Sequence, residues 1–164
     1  MNRIVTKMKR VRRIKLDSLQ KDMLFLPKSQ LHVFMGGGDD LYRINGGTIQ
    51  NTGAGVVWTG DDGSSCTFYG VSFDVGGFCP GDAAYQLNGT IHIGSDWAED
   101  GFGLYDFAHE FGHYLQQEEY GFWGYVKDVV IPSVGTSGSP NHYQTPCEKD
   151  ATKRGEEYLR KNLK

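Results

Sequence analysis

Apolar positions in the first part of the chain come in short runs, and most of them stop at a turn signal. Leu31–Met35 ends at Gly36-Gly37-Gly38, Leu41–Ile44 at Asn45-Gly46-Gly47, and Val56-Val57-Trp58 shortly before Gly60-Asp61-Asp62-Gly63. Cys66–Phe73 alternates aromatic and β-branched residues with polar ones. Ala84–Leu87 and Thr90–Ile93 flank Asn88-Gly89, a strong two-residue hairpin signal. The pattern predicts an antiparallel or mixed sheet of about five short strands over residues 31–94. Asp39-Asp40 and Asp61-Asp62 lie in glycine turns, where Asp is a favoured turn residue. They lack the ligand spacing of a calcium loop.

The period then changes. Leu104, Phe107, Ala108, Phe111 and Leu115 form one apolar stripe at helical spacing. This predicts a helix over about residues 103–120, with Asp100 or a neighbour as cap and Gly121 as the stop. Residues 122–146 carry Pro132, Pro140, Pro146, Gly124, Gly135 and Gly138 and read mostly as loop. A second helix is expected over Glu148–Leu163, with Ala151, Tyr158 and Leu159 facing inward and basic residues gathered near its end. The fold class is α+β: a basic arm at residues 1–28, then one domain at 29–164.

Charge separates the arm from the rest. Seven of the 17 basic residues lie in the first 15 positions, with no acid among them, so the remainder is left with ten basic residues against 20 acidic ones. No nucleic-acid motif follows the arm, which reads as a solvated leader or linker tail. No apolar stretch reaches the roughly 20 residues of a membrane span, and none follows the arm as the core of a signal peptide. The expected setting is the cell interior or a place within a larger exported polypeptide. Three cysteines, Cys66, Cys79 and Cys147, do not make a disulfide framework, although Cys66 and Cys79 could pair if their strands are neighbours.

The chemistry concentrates at His109-Glu110-Phe111-Gly112-His113. Residues four apart on a helix share a face, about 6 Å apart along the axis, so two imidazoles can reach one ion. Glu110 stands about 100° further round, beside the ion, where a base could deprotonate an activated water. Catalytic zinc usually keeps three protein ligands and one open position. A third ligand six residues after His113 is excluded as a histidine, because residue 119 is Glu. The candidates are Glu148, at the start of the second helix, then His142 and Asp150. Tyr143 and His142, with Tyr120 and Tyr125 as further options, could donate a hydrogen bond to the transition state.

The stretch GLYDFAHEFGHYLQQEEYG, then Ile131-Pro132-Ser133, then Glu148-Lys149-Asp150-Ala151 and Arg154-Gly155 resembles the zincin-like HExxH proteins of Bacteroidetes, some of them C-terminal domains of RHS/YD-repeat-type polypeptides. The resemblance spans about residues 84–160. It implies a glutamate-zincin plan with zinc held by His109, His113 and Glu148. In such architectures a strand beside the active-site helix pairs with extended substrate. Thr90–Ile93 reads either as that edge strand or as a buried interior strand.

The sequence therefore leads to the expectation of a zinc metallopeptidase acting on a peptide or protein substrate, with Glu110 as general base. Two other readings remain: a toxin-type effector domain neutralised by an immunity or inhibitor protein, and a non-catalytic metal-binding interaction module.

Overall fold

The computed structural model describes residues 41–77, 79, 81 and 83–164, all within one compact unit, Gly38–Lys164. The basic arm, Leu31–Met35 and Asp39-Asp40 lie outside the described residues. Four strands form an antiparallel meander: β1 (Leu41–Ile44), β2 (Gly47–Thr52), β3 (Gly55–Gly60) and β4 (Ser65–Tyr69). Three more form a second, mixed sheet in the order β5-β7-β6: β5 (Ser72–Val75), β6 (Ala84–Leu87) and β7 (Thr90–Ile93). The Asn45-Gly46 and Asn88-Gly89 hairpins form where the turn residues predict them. Asn88 and Gly89 both adopt positive φ, as a primed two-residue turn requires.

The one expected sheet is thus two, and Gly70 is a physical reason. The Cys66–Phe73 run breaks there at a φ of 80°, and an added Cβ would lie 2.5 Å from the Tyr114 hydroxyl. Across the break, the Asn51 side chain links the sheets by imitating backbone. Its amide donates to the Phe73 carbonyl at 2.9 Å, and its oxygen accepts from the Phe73 N–H at 3.0 Å. Thr90–Ile93 is the central strand of its sheet, parallel to β5 and antiparallel to β6. It is an interior strand, and the edge-strand alternative is corrected: β6 is the outer strand beside the long helix.

Helices follow: α1 (Ser95–Asp100), α2 (Leu104–Tyr125), α3 (Ile131–Thr136) and α4 (Pro146–Asn162). Asp100 is the last residue of α1. The N-cap of α2 is Gly103, whose N–H donates to the Asp106 carboxylate at 2.9 Å. Gly121 does interrupt α2, with φ 68° and ψ 166°, yet the chain does not become loop. A π-helical turn, Val126–Val130, carries it directly into α3. Pro132 sits in the first turn of α3, immediately after the π-helical turn.

The predicted stripe of α2 packs on the first sheet. Phe107 and Phe111 lie 4.9 and 5.1 Å from the Phe68 ring, and Tyr158 of α4 closes the cluster 4.5 Å from Phe111. Each fully buried Phe contributes roughly 1.5–3 kcal/mol of apolar burial. Cys66 and Cys147 carry free thiols, so the possible Cys66–Cys79 bridge is not made. Asp61 and Asp62 serve their turn, pairing with Arg43 and with Ser64.

The contact that matters most for the site is between α2 and α4. Ala108 and Gly112 on one helix meet Ala151 and Gly155 on the other, four residues apart in each. A Cβ on Gly112 would fall 2.0 Å from the Ala151 carbonyl oxygen, and one on Gly155 would fall 2.1 Å from that of Ala108. Backbone therefore meets backbone, and the start of α4 comes to rest against the His109–His113 turn.

Candidate metal centre

On α2, His109 and His113 project from one face and Glu110 from the next, all from a helix anchored by Phe107 and Phe111. The first turn of α4 supplies Glu148, which is 1% exposed. Glu148 Oε2 lies 3.1 Å from His109 Nε2 and 3.2 Å from His113 Nε2. His109, His113 and Glu148 are the group of donors that could hold a metal ion among the described residues.

The hydrogen bonds behind the imidazoles fix what these atoms are. Gln116 Nε2 donates to the Cys147 carbonyl and to Asp150 Oδ2, both at 2.9 Å, so its Oε1 is the end that faces His113 Nδ1 at 2.8 Å. That oxygen can only accept, so His113 carries its proton on Nδ1. The Thr152 hydroxyl donates to the Glu148 carbonyl at 3.0 Å and so accepts from His109 Nδ1 at 2.9 Å. In the neutral imidazoles both Nε2 atoms are then bare lone pairs aimed at a carboxylate. Three converging acceptors repel one another unless a cation lies among them, and partners on the outer nitrogens are what metal-binding histidines require. The donor set, two imidazoles and a carboxylate, fits zinc. A proton can take the same place, so metal and proton compete here.

Burial works to lower the His113 pKa, but the Glu148 hydrogen bond and the Glu110 and Glu148 charges outweigh it, and the net shift is upward. Burial likewise works to raise the Glu148 pKa, but hydrogen bonds from His109 and His113 hold it far below the usual carboxylate range. Glu110 goes the other way: burial dominates the opposing pull of the two histidines and raises its pKa. Among the described residues, Glu110 Oε2 and Glu148 Oε1 are buried side-chain atoms without a hydrogen-bond partner.

The other candidates surround this group. His142 Nε2 stands 3.7 Å from Glu148 Oε1, and its Nδ1 pairs with Thr136 at 3.1 Å. Asp150 is turned to Gln116 and Arg154. The Tyr143 ring lies 6.2 Å from that of His109, and the tyrosine is largely exposed. Partial burial, then the charges of Glu110 and Glu148, raise its pKa. The buried Tyr125 hydroxyl is committed to the Gln86 carbonyl at 3.2 Å, and Tyr120 stacks under Arg154. His92, of the second sheet, pairs with Asp74 at 3.0 Å. Gln116 and Thr152 are the hydrogen-bond partners of His113 and His109 that motif reading passes over. Their spacing, three after His113 and four after Glu148, puts each on its ligand's helix face.

Comparison with known proteins finds no matching family model, no matching curated protein and no matching solved structure. No helix among the described residues is long and apolar enough to cross a membrane.

Proposed function

We propose that this chain is a zinc-dependent metallopeptidase of zincin-like plan. The observation that carries the reading is the convergence of His109 Nε2, His113 Nε2 and Glu148 Oε2, with both histidine tautomers set from behind. Zinc held by these three residues would supply Lewis-acid polarisation of a carbonyl and lower the pKa of water toward about 7. Glu110, buried beside the histidines with Oε2 unpaired, takes the proton from the attacking water and passes it to the leaving amine. Its raised pKa suits a group that must both accept and release a proton. The Tyr143 hydroxyl, within the field of the same carboxylates, donates a hydrogen bond to the oxyanion as it develops.

A site that only holds the fold together needs no base, and a buried carboxylate oxygen left without a partner is costly. That favours catalysis over a purely structural metal. The test is Glu110→Gln, assayed for zinc content and for cleavage of a peptide library. The amide should keep zinc within a few fold and lower hydrolysis by about 100-fold or more. Cleavage close to wild type would remove Glu110 from the role of base. Loss of zinc along with activity would make it a ligand or a structural group instead.

A further inference from the structure

We propose that Gln116 is a positioning residue that sets the separation of two metal ligands, His113 and Glu148, from outside the ligand shell. The inference rests on the metal-centre reading above. Gln116 is 1% exposed, and a primary amide that deep is costly unless its groups are paired. Each end of this amide serves a different ligand. Its oxygen accepts from His113 Nδ1, and its nitrogen donates to the carbonyl of Cys147, the residue immediately before Glu148. One rigid, planar group therefore spans the two helices that supply the ligands.

The amide cannot turn over. Its nitrogen faces two acceptors, the Cys147 carbonyl and Asp150 Oδ2, and a flip would put oxygen against both. Asp150 is held in turn by Arg154, whose Nε donates to Oδ2 at 2.7 Å. The other end of the same guanidinium returns to α2, with Nη1 2.6 Å from Glu119 Oε2. The side chains make a closed circuit: Glu119 to Arg154, Arg154 to Asp150, Asp150 to Gln116, and Gln116 to His113. A partner that merely glued the helices together would need only one polar contact across the gap. This one also dictates which nitrogen of His113 is bare, and so whether that histidine can bind metal at all.

The test is titration of zinc, and separately of cobalt, into the metal-free wild type, Gln116→Met and Asp150→Ala, with melting temperature measured alongside. Met keeps the volume and length but neither hydrogen bond. Gln116→Met should raise the dissociation constant for both ions by about 10–100-fold and alter the visible spectrum of the cobalt form. Asp150 is partly exposed, so Asp150→Ala should remain folded. By removing one of the two acceptors that hold the amide nitrogen, it should weaken binding severalfold. A folded Gln116→Met that binds within twofold of wild type, with the same cobalt spectrum, overturns the proposal. If that variant does not fold, an Asp150→Ala that binds like wild type overturns it equally. A lowered melting temperature with unchanged affinity assigns Gln116 a packing role only. A wild-type protein that takes up neither ion overturns the metal centre itself.

Discussion

At the scale of single residues, Glu148 and His142 divide the space around one carboxylate. Glu148 Oε2 faces the two histidines of α2, while Oε1 faces His142 at 3.7 Å, beyond hydrogen-bond reach. Each residue has a different consequence when removed. Glu148→Ala takes away a ligand and leaves two imidazoles on one helix turn. Its zinc affinity should fall by more than the roughly 10–100-fold that an outer partner costs. His142→Ala removes a neighbour of the ligand and should keep zinc within about that range, with any larger effect on turnover. Parallel zinc titrations decide between them: a His142 variant that empties the site while the Glu148 variant keeps it would make this a three-histidine centre.

At the scale of elements, the close crossing of α2 and α4 is what joins the histidines to the glutamate. Gly112→Ala places a methyl 2.0 Å from the Ala151 carbonyl oxygen, an atom of rigid backbone. The helices must separate, at a cost of roughly 1–3 kcal/mol in stability, and zinc affinity should fall with it. Gly135→Ala, in α3, meets nothing within 4 Å and has no positive φ, so it should be neutral or slightly stabilising. Thermal melts of the two variants check the contrast. Much at this scale was legible in the sequence. Asn-Gly pairs marked two hairpins, and the stripe through Phe107 and Phe111 marked α2, because both signals are local. The helical course of residues 122–136 was not legible, since Gly121, Pro132 and Gly135 are read as breakers. The break at Gly121 is real, but the chain re-enters a helix at once, with Pro132 in the first turn of α3. His109, Glu110 and His113 could be read from spacing alone. Gln116 and Thr152 could not, because their partners become neighbours only when α4 docks.

At the scale of the whole molecule, the proposed metal would compete with protons for one set of atoms, which ties stability to pH. The folded-state pKa of His113 lies above its ordinary 6.5, so its stabilising contribution is complete below 6.5 and is lost as pH rises through the folded value. Glu110, also raised, contributes in the same sense, fully below 4.5 and less as pH rises. Glu148 is lowered, so its contribution is present above 4.5 and lost as pH falls toward its folded value. The metal-free protein should therefore melt higher near about pH 6 than near about pH 8.5. Zinc replaces the missing protons and should reverse that order, since its binding improves as the histidines deprotonate. Melting curves at both pH values, with chelator and with zinc, read this directly; no reversal on adding zinc would mean that the ion does not occupy the histidine nitrogens.

The pairing at the far end of α4 has a consequence for how the molecule comes together in time. Lys164 exchanges two backbone hydrogen bonds with Ser65 of β4, at 3.0 Å each, and Tyr158 donates to the Thr67 carbonyl at 2.7 Å. The helix that carries Glu148 is thus tied to a strand laid down some hundred positions earlier. Closing so long a stretch of chain is entropically slow, and the hairpins and α2 need no such closure to begin forming. His109 and His113 are then in place on their helix before Glu148 arrives. An ion held by all three would then be captured at the end of folding, where it should act by slowing escape from the native state and not by hastening entry into it.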